Sequence, residues 1–323
     1  MKNPCRASTR TVATFRAIAE DRTTAGELAR SAIQSRHEPE SEVAPFLSAV
    51  EQDIAHGSAL GVLRVRDGRA VGVALWAPPQ AAGLTVEVLH LIPELQSAEE
   101  YRAFYTEIGE RVGPIAFGPG RLAGLSEESE DRVMQSLGFA RFSRSEMRYP
   151  PEAPDPTSPD VPGLRPAQAS DEPALARLHA AAYEGQLDRF LFQLDPEPLR
   201  DAELQVHEIL RGRWGECRLG ASFLVPDAGS IAAASLVVQA PYGPLIADVM
   251  VDPRRQGRGL GRAVLVGSVR ALRQRGESTI VLNVTEGNRR AIRLYERTGF
   301  VRTLGPSHGW YSTVRIPVPP PSS

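Results

Sequence analysis

The chain has 323 residues, of which 42% are hydrophobic and 24% are charged, and its formal net charge is −2. This composition is that of an ordinary globular protein, and the length favours two domains that each build a core. No apolar run is long enough for a membrane span, and the amino terminus lacks a secretory signal, so the sequence predicts a cytoplasmic protein without membrane association. The two cysteines lie far apart in the sequence, so no disulfide framework is expected.

The first half of the chain predicts a mixed α and β domain over residues 1–149. Alternating apolar residues predict a hairpin formed by 59–65 and 69–76, closed by Asp67-Gly68. A strand is predicted at 84–92 and a helix at 99–112.

A proline-rich segment at 150–162 separates the two halves. It reads PPEAPDPTSPDVP and predicts a semi-stiff linker, because prolines remove backbone donors and favour extended chain. Residues 1–160 carry 17 basic and 23 acidic side chains, a net of −6, and the remaining residues carry 20 and 16, a net of +4. The positive second half is therefore the better candidate for binding a phosphate-bearing ligand.

The second half predicts a domain over residues 163–317, followed by a disordered tail at 318–323. A short strand at 164–166 precedes a helix whose start has an acidic residue and a proline, in the run Ser170-Asp171-Glu172-Pro173. The elements expected after it are an irregular segment with a short helix at 183–198, a helix at 202–211, a hairpin of 219–225 and 231–238, and a strand at 245–251.

A glycine-rich turn follows this last strand. It reads VDPRRQGRGLGR from Val251 to Arg262 and places three glycines and four arginines where a strand turns into a helix. Backbone N–H groups at a helix start lack partners and lie at the positive end of the helix dipole, so the turn is suited to a pyrophosphate. It is neither a P-loop nor a dinucleotide-binding turn. The remaining pattern is Gln-x-x-Gly-x-Gly, at Gln256, Gly259 and Gly261.

A second informative segment runs from Asn288 to Phe300. Gly299 stands where a left-handed helix cap belongs, and between the two segments the pattern predicts a helix ending at Gly276 and a buried strand at 279–284. The residues that recur at helical spacing and predict one buried face are Ala291, Leu294, Tyr295 and Thr298.

Together these segments resemble the GNAT superfamily of acyl-CoA N-acyltransferases. The resemblance depends on Val251-Asp252-Pro253, on the glycine pattern, and on Asn288-x-x-Ala291-x-x-x-Tyr295-x-x-x-Gly299-Phe300 in that order. It implies an α/β fold with a mixed sheet and an acetyl-CoA-dependent transfer of an acetyl or short acyl group to a primary amine of a small molecule or peptide.

The resemblance also implies roles for particular residues. Tyr295 is the expected general acid for the departing thiolate, and Asn288 is expected to hydrogen-bond the pantetheine arm, although an ordinary helix cap is its simpler interpretation. The other residues expected to bind the cofactor are Val249, Met250, Val251, Gln256, Gly257, Arg258, Gly259, Leu260, Gly261 and Arg262. No metal is expected, since the six histidines show no metal-ligand spacing.

The sequence does not identify the general base. The positions at which related enzymes carry a glutamate hold Leu245 and Asn283 here. Asp248 lies nearby, but strand alternation places it on the face opposite Val249 unless a bulge redirects it. Further candidates are Glu184, Asp188 and a water relay.

The first half also resembles a copy of the same fold, because Met134 to Phe139 parallels Tyr295 to Phe300. It has lost the cofactor motif: the segment 93–100 has a proline and three carboxylates where the glycine turn should lie, Met134 replaces Tyr295, and Glu127 replaces Asn288. Carboxylates repel phosphates, and proline has no amide to donate. This degenerate domain is expected to support the second domain or to wall its acceptor pocket.

Other functions have weaker support in the sequence. The arginines cluster at one turn without interleaved aromatic residues, which argues against nucleic-acid binding. Cys217 has no evident partner base. A non-catalytic acyl-CoA-binding protein and an enzyme similar to mycothiol synthase, which shares the tandem organisation, stay as alternatives. Residues that face the acceptor are expected in 183–198 and around Trp310 and Tyr311.

Overall fold

The computed structural model describes residues 14–34, 40–77, 83–119, 121–157, 159–240, 242–303 and 306–316. These residues form two compact units. Unit 1 comprises the described residues of Met1–Pro79, Gly83–Arg141 and Gly309–Arg315, and unit 2 comprises those of Phe142–His308, with Ile316. The predicted tail at 318–323 lies outside the described residues.

The elements alternate between strands and helices along the chain. The strands are β1 (Thr14–Ala17), β2 (Leu60–Arg66), β3 (Arg69–Trp76), β4 (Leu84–Leu91), β5 (Ile115–Gly118), β6 (Phe139–Tyr149), β7 (Arg165–Pro166), β8 (Glu216–Cys217), β9 (Phe223–Asp227), β10 (Ser230–Ala240), β11 (Gly243–Val251), β12 (Ile280–Thr285), β13 (Val301–Arg302) and β14 (Ser307–Ser312). The α-helices are α1 (Arg22–Gln34), α2 (Glu40–His56), α3 (Ala98–Arg111), α4 (Glu127–Ser136), α5 (Glu172–Ala182), α6 (Leu187–Leu191), α7 (Pro198–Leu210), α8 (Leu260–Arg273) and α9 (Arg289–Thr298).

Each unit contains a mixed sheet. In unit 1 the strand order is β1, β2, β3, β4, β5, β14, and β4 and β5 are parallel whereas the other neighbours are antiparallel. In unit 2 the order is β6, β12, β11, β10, β9, β7, and the parallel pair is β11 and β12. Both units repeat the order strand, helices, three strands, helix, strand, helix, and unit 2 adds the two-residue strand β8 before β9. The repeat predicted from the sequence is therefore present.

Helices pack on both faces of the unit 2 sheet. On one face the buried side chains of α8 and α9 contact β6, β11 and β12. On the other face α5 and α7 contact β9, β10 and β11. The residues of α8 that repeat at helical spacing and are fully buried are Leu265, Val269 and Leu272.

The units do not divide where the sequence analysis placed the domain boundary. From Arg144 to Tyr149, β6 pairs with β12 and belongs to unit 2, whereas Gly309–Arg315 belongs to unit 1. The proline-rich segment 150–162 also belongs to unit 2. The hydroxyl of Tyr149 donates to the Pro154 carbonyl at 2.6 Å, and Arg273 donates to the Pro151 carbonyl at 2.7 Å. The predicted linker is thus packed against the second unit.

Trp310 occupies the core of unit 1. It lies on β14, which pairs with β5, and its side chain is fully buried with that of Tyr311. The Trp310 Nε1 donates to a carboxylate oxygen of Glu130 at 3.2 Å. The expectation that this segment faces the acceptor was therefore wrong, because pairing with β5 buries both aromatic side chains inside unit 1.

Among the described residues, every helix is too short or too polar to cross a lipid bilayer.

Candidate active site

A cleft opens in unit 2 where β11 and β12 separate. The two strands pair only at Leu245 with Val281 and at Ile246 with Leu282 over their described lengths. Beyond these pairs they diverge, while β11 stays paired with β10 and β12 with β6. The edge of β11 that faces β12 is therefore available from residue 247 to residue 251, and backbone groups along it can bond a ligand.

A bulge in β11 decides which side chains lie on each face of the sheet. Leu236 of β10 pairs with Asp248 and Val237 pairs with Ile246, so Ala247 is an extra residue. Ile246 and Val249 therefore face α8, whereas Asp248 lies on the face of α5. Without the extra residue, Asp248 would share the face of Ile246.

The glycine turn leads from β11 into α8. Gly257 and Gly259 have φ angles of 79° and 78°, in the left-handed region that an L-residue adopts only at a cost. A Cβ atom at Gly257 would meet open space, whereas one at Gly261 would lie 3.1 Å from the Val251 side chain. Two glycines are thus required by backbone conformation and the third by close packing.

The start of α8 leaves backbone donors without a partner inside the helix. The Gly259 N-cap supplies no side-chain hydrogen bond, and the Ala263 amide is the donor to the Gly259 carbonyl. The amides of 260–262 precede it and have no carbonyl one turn earlier in the helix. These groups and the helix dipole make the turn suitable for an anion.

The corresponding helix of unit 1 starts differently. Ser97 caps α3 by accepting a hydrogen bond from the Glu100 amide, and Glu99 and Glu100 occupy the first turn. Glu100 also accepts hydrogen bonds from Arg64 and Arg66. A capped helix start with two carboxylates is less suited to a phosphate than the start of α8.

The cleft of unit 2 has a volume of about 710 Å³ and contains most of the predicted cofactor residues. The Met250 side chain is fully buried against α5 and α7, and Arg258 does not line the cleft. The predicted residues that line it are Val249, Val251, Gln256, Gly257, Gly259, Leu260, Gly261, Arg262, Asn288 and Tyr295.

Several side chains around the turn are already committed to contacts within the protein. Arg254 pairs with Asp252 at 2.7 Å and Arg255 pairs with Asp227 at 2.5 Å. Gln256 accepts a hydrogen bond from Arg290. Main-chain amides therefore remain the more direct anion donors of this turn.

Asn288 is the N-cap of α9. Its side-chain oxygen accepts a hydrogen bond from the Ala291 amide at 3.0 Å. The amide NH₂ group of the same side chain is still a donor, and the residue lines the cleft. Capping thus uses one end of the side chain, and its role toward a cofactor stays a prediction.

Tyr295 lies on the buried face of α9, as its spacing predicted. Its side chain packs in the core with Phe300 and also lines the cleft. Burial, with the negative charges of Asp248 and Asp188, raises the pKa of the Tyr295 hydroxyl far above its usual range. The hydroxyl is therefore protonated at neutral pH and can donate a proton or a hydrogen bond.

On the α5 face of the cleft, Asp248 forms a buried cluster with Tyr183 and His179. The Tyr183 hydroxyl donates to Asp248 Oδ1 at 2.6 Å, and His179 stacks on Tyr183 with ring centroids 4.5 Å apart. Burial raises the pKa of Asp248 to about 7 and lowers the pKa of His179 to about 4. The 3.7 Å contact between His179 and Asp248 is therefore not an ion pair at neutral pH, and it is too long for a hydrogen bond.

Asp188 lies near this cluster, and the sequence indicated it only as one of several open candidates. Its Oδ1 accepts hydrogen bonds from Arg144 at 3.1 Å and from Thr285 at 2.6 Å. Phe192 and Trp214 add a pair of partly exposed aromatic rings to the same side of the cleft. Five residues of the segment 183–198 line the cleft, and its contact with the acceptor stays a prediction. Arg144, Thr285 and Trp214 are cleft residues that the sequence analysis missed.

The remaining candidates are less well placed. Glu184 is exposed and is absent from the cleft lining, whereas Leu245 and Asn283 line it without a titratable group. Burial raises the pKa of the Cys217 thiol, which disfavours the reactive thiolate. Among the described residues, no group of three or more His, Cys, Asp or Glu side chains is arranged to hold a metal ion.

Comparison with known proteins agrees with this geometry. Residues 182–300 match the acetyltransferase (GNAT) family. The chain is 28% identical over 281 residues to the mycothiol acetyltransferase of Thermomonospora curvata, covering 85% of this chain and 89% of the relative. It is 30% identical over 254 residues to the mycothiol acetyltransferase of Salinispora arenicola, covering 74% and 77%.

Solved structures share the fold over almost the whole chain. A GCN5-related N-acetyltransferase from Sphaerobacter thermophilus superposes with a TM-score of 0.58 at 20% identity, covering 93% of this chain and 94% of the other. A tandem GNAT protein from the clavulanic acid biosynthesis pathway superposes with a TM-score of 0.52 at 16% identity, covering 93% and 98%.

The fold and the site thus define an N-acetyltransferase with two tandem domains. The chain belongs to the GNAT acetyltransferase family, whose members use acetyl-CoA as the acetyl donor.

Proposed function

We propose that unit 2 binds acetyl-CoA along the cleft between β11 and β12 and transfers its acetyl group to the deacetylated form of mycothiol. The observation that carries this proposal is the cleft itself, which begins at the uncapped start of α8 and reaches Tyr295 and the Tyr183–Asp248 cluster. One cleft therefore contains both a phosphate site and proton-transferring side chains.

The donor fits the chemistry of the cleft. The pyrophosphate of acetyl-CoA accepts hydrogen bonds from the amides of 257–262, and open space at the Cβ position of Gly257 lets it approach the backbone. The pantetheine arm lies along the open edge of β11, with Val249 and Val251 as main-chain partners and the Asn288 NH₂ group as a further donor. The thioester then lies within reach of the Tyr295 hydroxyl, which protonates the leaving thiolate.

The acceptor side of the cleft suits a small polar amine. Asp188 and Asp248 attract an ammonium group, and Phe192 and Trp214 offer aromatic faces to the apolar side of a sugar ring. Similarity over most of the chain to mycothiol acetyltransferases of two organisms favours a sugar-thiol acceptor over a peptide. Unit 1, with its capped and acidic helix start, supplies no second acetyl-CoA site in this proposal.

The test is turnover with a defined panel of acceptors. We expect the protein to acetylate deacetylated mycothiol with a kcat/KM at least about 100-fold above that for glucosamine or a short peptide, because a site that hydrogen-bonds a whole substrate rejects fragments of it. The acetylated product is quantified by mass spectrometry, since a thiol acceptor interferes with thiol reagents that detect released CoA.

Two results would contradict this assignment. Faster acetylation of an unrelated amine would show that the acceptor is that amine, while the assignment as an acetyltransferase would stand. Binding of acetyl-CoA without turnover of any amine would instead favour the non-catalytic acyl-CoA-binding protein.

A further inference from the structure

Attack on the thioester requires a neutral amine, so a group in the cleft must receive the proton of an acceptor ammonium. Leu245 and Asn283 cannot accept it at neutral pH. Three carboxylates near the cleft remain to be compared, those of Glu184, Asp188 and Asp248.

Position and hydrogen bonding separate these three carboxylates. Glu184 is exposed and does not line the cleft. Asp188 lines it, but its carboxylate forms an ion pair with Arg144 and accepts a further hydrogen bond from Thr285, so its protonation would break the ion pair. Asp248 lines the cleft with 5% of its surface exposed and has one neutral donor, Tyr183, as its side-chain hydrogen-bond partner.

The bulge at Ala247 holds Asp248 in this position. It places the carboxylate on the α5 face at the level where β11 and β12 have separated. Tyr183 follows the last residue of α5, and both Tyr183 and the Asp248 carboxylate that its hydroxyl bonds line the cleft.

We propose that Asp248 is the terminal proton acceptor of the reaction and that the Tyr183 hydroxyl passes the acceptor's proton to it. This inference rests on the proposed acetyltransfer and adds the residues that deprotonate the amine. It assigns Tyr183 to contact with the acceptor nitrogen and Asp248 to a buried position behind it.

The proton balance of the step is complete. Tyr183 gives its proton to the Asp248 carboxylate and takes one from the ammonium, which leaves a neutral amine. The nitrogen lone pair forms a bond to the thioester carbon, and the carbon–sulfur bond then breaks. The thiolate takes a proton from Tyr295, which regains it from the nitrogen as the amide forms, and Asp248 later releases its proton to solvent.

The charges around Asp248 are consistent with this role. Burial is the main cause that raises its pKa to about 7, and the Asp188 charge adds to the rise, whereas the bonds from Tyr183 and Val249 oppose it. A base with a pKa near the working pH transfers protons most efficiently. The titratable and charged side chains around the cluster are His179 of α5, Tyr183 next to α5, Asp188 and Arg189 of α6, Asp201 of α7, Tyr295 of α9 and Arg144 of β6.

The pH profile of Asp248→Asn is the test. In the parent protein, kcat/KM should fall as the pH decreases below about 7, because a protonated Asp248 cannot accept a further proton. The asparagine variant should lose about 10²- to 10⁴-fold in kcat/KM and lose this acidic limb, whereas its side-chain oxygen still accepts the Tyr183 bond. Tyr183→Phe should also lower kcat, although the Asp248 carboxylate is still present.

Matched measurements separate this proposal from a structural role and from the proposed function. Asp155→Asn makes the same change at a side chain that is 64% exposed and should leave the profile unchanged. Acetyl-CoA binding by each variant, measured by calorimetry, checks that the cleft is intact. Two results would overturn this proposal and leave the proposed function intact. One is full activity of Asp248→Asn with an unchanged fall of kcat/KM at low pH. The other is a fall at low pH whose midpoint shifts with the pKa of the acceptor amine. A parent protein without turnover would overturn this proposal together with the proposed function.

Discussion

A Tyr295→Phe variant is expected to lose about 10²- to 10⁴-fold in kcat/KM while it binds acetyl-CoA as tightly as the parent protein. The expectation follows from the position of Tyr295, which lines the same cleft as the glycine turn. Burial and nearby carboxylates keep this hydroxyl protonated, so it can supply the proton that a departing thiolate requires. Phenylalanine keeps the ring that packs in the core with Phe300 and removes only the donor.

Tyr149→Phe is the matched control for this variant. Tyr149 belongs to the same hydrophobic core, does not line the cleft, and uses its hydroxyl to bond the Pro154 carbonyl. Loss of the Tyr149 hydroxyl should lower the free energy of unfolding by about 1 kcal/mol and leave kcat/KM unchanged. Single-turnover kinetics with saturating acetyl-CoA isolate the chemical step. A Tyr295→Phe variant that retains the full rate would rule out the acid role of Tyr295.

Replacement of Trp310 by alanine should destabilise unit 1 by about 3–5 kcal/mol. The indole is fully buried, packs among the core residues of unit 1 and donates to Glu130. Its removal leaves a cavity and takes a hydrogen bond from a buried carboxylate whose pKa is already raised by burial. The C-terminal strand would thus stabilise a unit that is otherwise built from the first half of the chain.

Native-state hydrogen exchange can localise this effect, since protection reports the local free energy of opening. Amides of β5 and α4 should lose protection in Trp310→Ala, and Trp310→Phe should lose less because it keeps most of the packing. Trp214→Ala is the control, because Trp214 is 41% exposed and lines the cleft of unit 2. This variant should not reduce protection in β5. Equal protection of β5 in the parent protein and Trp310→Ala would contradict the structural role of this strand.

Local sequence patterns predicted much of the fold. Both hairpins, the helix α8 that precedes Gly276 and the cap at Gly299 depend on turn chemistry and on the period of apolar residues within one segment. Local patterns could not predict that Gly309–Arg315 belongs to unit 1 or that the part of β6 from Phe142 onward belongs to unit 2. A strand chooses its partner through long-range pairing, and no local pattern records that Trp310 pairs opposite Gly118.

The same distinction applies to the site. The glycine turn and Tyr295 were predictable because motif and spacing lie within short segments. The proton-accepting cluster was not, because Asp248 meets Tyr183 from 65 residues earlier in the chain. The bulge at Ala247 brings them onto one face, and alternation alone could not indicate where the extra residue lies.

The most direct measurement is a calorimetric titration of CoA into the parent protein, Gly257→Ala and Gly276→Ala. Both glycines have φ angles near +80° and open space at the Cβ position, so alanine imposes the same backbone strain at each. Gly257 lies in the turn, whereas Gly276 lies beyond the other end of α8. We predict one CoA per chain for the parent protein, about 10- to 100-fold weaker binding for Gly257→Ala, and unchanged binding for Gly276→Ala. Equal affinities of the two folded variants, or no binding by the parent protein, would contradict a coenzyme site at this turn.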